Sequence, residues 1–247
     1  MSNRHHTRAE SQGPGTIAGV RVAIVRDNED PEDIGRVKLG YPWRDEDDES
    51  YWARIATDMT GDGYGTYFLP EVGDEVLVAF ENGDIHHPVV VGSLWTGQAK
   101  PPEQNSDGNN DIRKIETRGG HVVEFDDNDQ NGSVLIETDA GHVVELDDSS
   151  GSEKIRIEDK SGNSVTIDSV ENSISVSGKQ SIELSAPTIS LSAKTKVEIS
   201  SKGTVDISGK GQTNVSSKGQ LDIESNGLMG INATGPLTVK GAIIQLN

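Results

Sequence analysis

The C-terminal quarter of this chain repeats every eight residues, and no other feature narrows the folds open to it so far. Gly203, Gly211, Gly219, Gly227 and Gly235 stand eight apart. Two residues after each glycine begins a pair of positions with one residue between them: Val205 and Ile207, Thr213 and Val215, Leu221 and Ile223, Met229 and Ile231, Leu237 and Val239. The frame runs back without glycine through Val197 and Ile199 to Ile189 and Leu191, so seven octads cover 187–242. Thr213 is the one polar residue among the fourteen paired positions, and Lys194, Lys202, Lys210 and Lys218 each close an octad. Alternation at period two describes a strand with one buried face. A glycine after every two inward residues describes a corner, because a residue without Cβ bends sharply at little steric cost. Disorder has no reason to hold such a register over 56 residues. Two inward side chains per strand bury nothing by themselves. Either one chain coils into a triangular solenoid with three strands per turn, or three chains wind around one axis into a β-prism; the period admits both.

A longer repeat of about 21 residues precedes the octads. Thr117 to Glu137 (TRGGHVVEFDDNDQNGSVLIE) is followed by Thr138 to Glu158 (TDAGHVVELDDSSGSEKIRIE) and by a degenerate third copy over 159–178. His121, His142 and Asn163 are equivalent. Inward pairs run Val123/Phe125, Val134/Ile136, Val144/Leu146, Ile155/Ile157, Val165/Ile167, Ile174/Val176 and Ile182/Leu184, with shortening steps into the octads. This is one stack of fourteen strand units, roughly 65 Å at the spacing of paired strands. The N-terminal third differs. Strand-like stretches Ile17–Asp27, Ile34–Tyr41, Tyr51–Asp58, Glu75–Asn82 and Pro88–Trp95 are divided by Gly, Pro and acidic turns, the pattern of a small OB-like barrel. The segmentation is therefore a flexible N-terminus over 1–13, an OB-fold domain over 14–97, a polar linker over 98–116, a β-helix base over 117–186 and an octad needle over 187–247. The fold class is all-β.

Charge is divided as sharply as the repeats. Asp and Glu number 41 against 22 Lys and Arg, a net of −19. Residues 187–247 hold four acids and six lysines, net +2, which leaves 37 acids and 16 bases, net −21, in 1–186. Such an acidic chain repels phosphate, so nucleic acid is excluded as a partner. The acid excess also fits a high-salt habitat. Cysteine is absent, which removes disulfides and thiol chemistry. No stretch approaches the ~20 apolar residues that span a bilayer, and the first fifteen residues lack the apolar core of a secretory signal.

Within the N-terminal third the ordered elements Gly35-Arg36-Val37, Pro42-Trp43, Trp52-Ala53-Arg54, Phe68-Leu69-Pro70, Val72-Gly73-Asp74-Glu75-Val76, Asn82-Gly83-Asp84, Pro88 and Gly92-Ser93-Leu94 span about 60 residues. Together they resemble the OB-fold domain shared by VgrG proteins of type VI secretion and the spike proteins of contractile phage tails. The repeats downstream resemble the region after that domain, and the octads resemble the intertwined triple-stranded β-helix of these spikes. The resemblance implies a non-catalytic homotrimer that pierces a target envelope when a sheath contracts. Its OB domains would sit on a baseplate hub, and the spike would be assembled in the cytoplasm into a phage-like particle or injection apparatus. Only about 15 residues precede the OB region, so the hub is expected on another protein. Some simple spikes bind iron through histidines at the tip; the last histidine here is His142, so a separate PAAR-type tip protein against Ile244, Leu246 and Asn247 is the expected cap.

Motifs that carry chemistry elsewhere read more plainly here. Asp127-Asn-Asp129-Gln-Asn131-Gly132 opens like a calcium loop, but its twelfth position is Thr138 rather than a bidentate Glu, and strands flank it. His86 and His87 are adjacent and point apart. His121 and His142 would form rings only in a trimer. Asp45–Glu49 reads as a solvated acidic loop. No nucleophile elbow or phosphate loop occurs, and no catalytic residue, metal or cofactor is expected. The competing readings are an OB module for sugar or protein on a trimeric β-stalk, and a receptor-binding fibre.

Overall fold

The computed structural model describes residues 17–44 and 49–245. The N-terminal segment 1–13, Asp45–Asp48 of the acidic run, and Leu246 and Asn247 of the expected tip contact lie outside them. The chain divides into two compact units at Glu183 and Leu184.

The first unit opens with a barrel. Its strands are β1 (Val20–Asp27), β2 (Lys38–Gly40), β3 (Arg54–Ile55), a small hairpin of β4 (Thr60–Gly61) and β5 (Tyr64–Gly65), β6 (Glu75–Phe80) and β7 (Pro88–Ser93). The five main strands are ordered β2-β1-β6-β7-β3. A bridge from Val37 to Ala53 joins the two ends, with the Val37 N–H donating to the Ala53 carbonyl at 3.0 Å and the Ala53 N–H returning at 2.7 Å. The bridge therefore closes the five main strands into a circle. Alternating residues of β1, β2 and β6 fill the interior: Ala23, Val25, Val37, Leu39, Val76 and Val78 are fully enclosed, with Tyr41, Phe80 and Val90 packed on them. All five expected strands are shorter than the stretches that announced them, and the hairpin β4–β5 had no apolar alternation to announce it.

After the barrel comes a seven-stranded antiparallel meander: β8 (Ile112–Glu116), β9 (Val122–Asp126), β10 (Ser133–Glu137), β11 (Val143–Asp147), β12 (Lys154–Glu158), β13 (Ser164–Asp168) and β14 (Ser173–Ser177), each hydrogen-bonded only to its sequence neighbours. The segment read as linker thus ends in a strand, β8. Its IRKIE sequence hid this, because Arg113 takes one of the two apolar places on the shared face. The 21-residue repeat is a pair of strands plus two turns. In the first turn Thr117, Thr138 and Asp159 donate their N–H to the carbonyls of His121, His142 and Asn163 at 2.9–3.0 Å. Their side-chain oxygens accept the N–H of the same partners at 3.1, 3.1 and 2.9 Å. Gly120, Gly141 and Gly162 sit at φ of +78°, +83° and +81°, a left-handed conformation that glycine enters freely. The position held by His121, His142 and Asn163 is thus a turn closure.

The second unit contains no paired strand among its described residues. The chain runs extended and bends on a strict beat, at 194–195, 202–203, 210–211, 218–219, 226–227, 234–235 and 242–243. The corners fall where the octads put them. The glycines there are not forced by the fold of one chain: none has a positive φ, and an added Cβ at Gly211, Gly219, Gly227 or Gly235 would meet nothing within 4 Å.

Candidate assembly surface

The meander's register sorts its side chains into two faces. On one face lie two columns. Ile115, Val123, Ile136, Val144, Ile157, Val165 and Val176 stand opposite one another strand by strand, as do Arg113, Phe125, Val134, Leu146, Ile155, Ile167 and Ile174. These are the inward pairs of the sequence, in register. Nothing among the described residues covers them: Phe125, Ile136, Ile157 and Ile174 are all exposed, Ile174 to 73%. A groove of about 510 Å³ runs along this face, lined by Ile136, Val144, Ile157, Val165, Val176 and Ile182.

The opposite face is charged and paired. Lys114 faces Glu124 and bonds it at 3.2 Å, with Glu116 also at 3.2 Å. Arg156 faces Glu145 at 2.9 Å and reaches Glu158 at 3.0 Å. Burial works against the charge of both cations, but the carboxylates around them win and raise both above their ordinary values. Asp147 is held down at about 2, first by Ser149 and then by Lys154, whose ammonium is 3.1 Å away. A face with its charges so satisfied is the solvent side, and the two-column face is the one that needs a partner.

The octads, in the second unit, present apolar pairs of their own. Ile189 and Leu191, Val197 and Ile199, Val205 and Ile207, Leu221 and Ile223, Met229 and Ile231, and Leu237 and Val239 are exposed without exception, Ile207 to 78%. Val215 is exposed beside the polar Thr213. Ile244 is described and exposed as well.

The residues of the OB motif do not converge on one pocket; they hold the barrel together. Val37 and Val76 are core, and Leu69 packs against that core. Trp43 donates its indole N–H to the Val22 carbonyl at 3.1 Å, beside Pro42 in a turn. The Pro70 carbonyl accepts from the Asn28 side chain at 3.1 Å. Gly73 takes φ +98° in a turn that the Asp74 carboxylate closes on the Glu71 N–H at 2.9 Å, and the Glu75 carbonyl accepts the Leu94 N–H at 2.8 Å. Gly35, at φ +74°, precedes Arg36, whose guanidinium grips Asp30 through two bonds of 2.9 and 2.7 Å. Asp30 also accepts the N–H groups of Glu32, Ile34 and Arg36. Arg36 therefore holds the Asp30 carboxyl far below the usual carboxylate range. Sequence reasoning missed Asp30, which has no motif of its own.

The histidines and the acidic turns are placed by local contacts. His86 and His87 both turn their Nδ1 atoms to Asp84, at 2.8 and 3.2 Å, and Asp84 is held at about 2, chiefly by the His86 N–H. His121 Nδ1 accepts the Asp139 N–H at 3.3 Å. In the calcium-like turn Asp127 lies 3.3 Å from Arg113, while the Asn128 side chain accepts from Gln130 and Asn131. No group of three or more His, Asp or Glu among the described residues is arranged to hold a metal ion.

Comparison with known proteins follows this division. Residues 21–95 match the type VI secretion system/phage-baseplate injector OB domain, and residues 133–195 match the phage baseplate V C-terminal trimerisation domain. The actin cross-linking toxin VgrG1 of Vibrio cholerae is 33% identical over 39% of this chain and 10% of its own length. The type VI secretion system spike protein VgrG3 of the same species is 37% identical over 26% of this chain and 7% of its own. The spike protein VgrG2a of Pseudomonas aeruginosa is 32% identical over 29% of this chain and 9% of its own. The chain thus spans a tenth or less of the curated relatives it matches.

Proposed function

We propose that this chain, which belongs to the family of VgrG and phage-baseplate spike proteins, is the homotrimeric, membrane-piercing central spike of a contractile injection apparatus or phage-like tail. One observation carries the reading. The meander presents a two-column apolar face and the octads present an apolar pair in nearly every repeat, neither covered by any described residue, while residues 133–195, which run from β10 into the octads, match a trimerisation domain. A solenoid of one chain would pair each octad with one a turn away, and no octad pairs with another among the described residues. That favours the three-chain β-prism over the solenoid.

The mechanics follow from the architecture. In the trimer each octad strand lies between strands of the other copies, so no chain leaves without breaking hydrogen bonds along its whole length. A continuous core with short corners transmits axial force without loops to catch. The work comes from sheath contraction, so the spike needs no catalytic group, metal or cofactor of its own. The OB barrel, closed on itself, is seated on a baseplate hub, and a PAAR-type tip protein caps the end near Ile244, Leu246 and Asn247. The five octad glycines leave room at the corners for neighbouring copies. The whole is part of a phage-like particle or secretion apparatus.

Light scattering in dilute and in multi-molar salt tests this. A mass near three times 26.4 kDa, about 79 kDa, is the expected result. Trimer only in high salt would add a halophilic origin. A monomer in both would overturn the spike. The reading left standing would be an OB binding module, whose candidate site is the groove of about 700 Å³ beside the β4–β5 hairpin with exposed Tyr64, Tyr67 and Phe68.

A further inference from the structure

Charge in the octads obeys a rule that the apolar frame does not require. Each lysine that closes an octad is followed four residues later by a carboxylate or its amide: Lys194 by Glu198, Lys202 by Asp206, Lys210 by Asn214, Lys218 by Asp222. Where the closing residue is Ala186, Asn226 or Thr234, the residue four on is Ser190, Gly230 or Thr238. The two positions change together from repeat to repeat, as two positions that meet in the folded needle would. In one chain they are not in contact. None of the four lysines has an ion-pair or hydrogen-bond partner among the described residues. Glu198 is engaged by Lys196 instead, Asp222 accepts the Gln220 amide at 2.8 Å, and Asp206 has no partner there.

We infer that Lys194, Lys202 and Lys218 pair with Glu198, Asp206 and Asp222 of a neighbouring copy, with Lys210 facing Asn214, so that a ladder of inter-chain ion pairs runs along the outside of the needle. The inference rests on the trimeric reading. The carboxylate stands between two inward residues and therefore faces out. The lysine stands at the bend, where one chain passes the next. The ladder also bears on register. Apolar pairs repeat every eight residues, so a slip of one octad leaves them nearly equivalent. The same slip removes one of the three lysine–carboxylate pairs at each interface and sets Thr213 level with an apolar residue.

The test exploits direction. Two full-length variants are made, Lys202→Glu and Asp206→Lys, together with the doubly changed chain. Pairing between copies gives each single-variant homotrimer like charges at all three interfaces, whereas a mixed trimer has two attractive interfaces and one repulsive. Native mass spectrometry of the two coexpressed chains is expected to show mixed trimers above the share of about three quarters that random assortment gives. The excess should fall at about 1 M salt, where screening acts within ~3 Å. The doubly changed chain should form a homotrimer that melts with the unaltered one, which covers the case of single variants that do not fold. A control carrying the same charge changes at Lys240 and Glu224, outside the pairing frame, should assort at random. Random assortment of the test pair overturns the ladder, as does equal enrichment in the control. A monomeric unaltered protein overturns the spike reading instead, a different result from a trimer without charge preference.

Discussion

Asp30 is the residue on which one wall of the barrel turns. Its carboxylate gathers three backbone N–H groups and a bidentate guanidinium within seven residues, 30–36, and so fixes the loop that delivers Val37 to the core. Asp30→Asn keeps the shape but halves the charge-assisted bonding, and a thermal melt is expected to move down by several degrees. The acid limb of stability belongs to such carboxylates. A carboxyl held at about 2 when folded and near 4 when unfolded adds stability at neutral pH, and that stability is lost as pH falls from about 4 toward 2. Asp147→Asn should therefore flatten the fall of the melting temperature across that window, read by circular dichroism. None of this was legible beforehand. Asp30 and Arg36 lie six apart in a loop, where no periodicity marks contacts, whereas Val37 and Val76 stood in apolar strand-like stretches and in the motif that carries the resemblance.

Among elements, the meander shows what periodicity can carry. The pairs Val123/Phe125 and Val134/Ile136 were readable as inward from spacing alone, and the register sets Val123 against Ile136 and Phe125 against Val134. Strand β8 escaped because its apolar columns receive Arg113 and Ile115, which reads as a charged stretch rather than a strand. The β4–β5 hairpin escaped because Thr-Gly and Tyr-Gly give no alternation to follow. The two faces should respond oppositely to change. Ile157→Lys puts charge on the face awaiting partners, and burial of an isoleucine stabilises by ~1.5–3 kcal/mol per copy. The trimer should dissociate in sedimentation velocity while the β signal of the meander persists. Arg156→Met on the outer face should cost under about 1 kcal/mol, since partly exposed ion pairs stabilise weakly.

For the whole molecule, local connectivity means that length is adjustable in units. Each meander strand touches only its sequence neighbours, and each octad repeats the last, so stability is close to a sum over repeats. Deleting the full octad 203–210 should leave a trimer that melts a little lower. Deleting only 203–206 sets every later octad half a repeat out of phase with those before it, and the trimer should lose protection from protease beyond that point. The bends at 202–203 and 210–211 mark the ends of such a unit, and the octad period made them legible; the sequence alone left open which chains supply the neighbouring strands, because one chain and three chains satisfy the same period.

The exposed two-column face also governs the life of a chain before it meets its partners. A newly made copy carries more than a dozen uncovered aliphatic side chains beyond residue 186 and unpaired backbone along all of them, the composition of an aggregation hazard. The same copy carries the net −21 of its first 186 residues. Like charge of that size keeps chains apart at random encounter, so collision by the wrong surfaces is slowed while the three-fold arrangement, once found, is held by its core. The acidic barrel and meander thus act as a built-in solubilising tag for the needle, and refolding yield should depend on ionic strength in two directions: screening hastens productive trimers and aggregates alike.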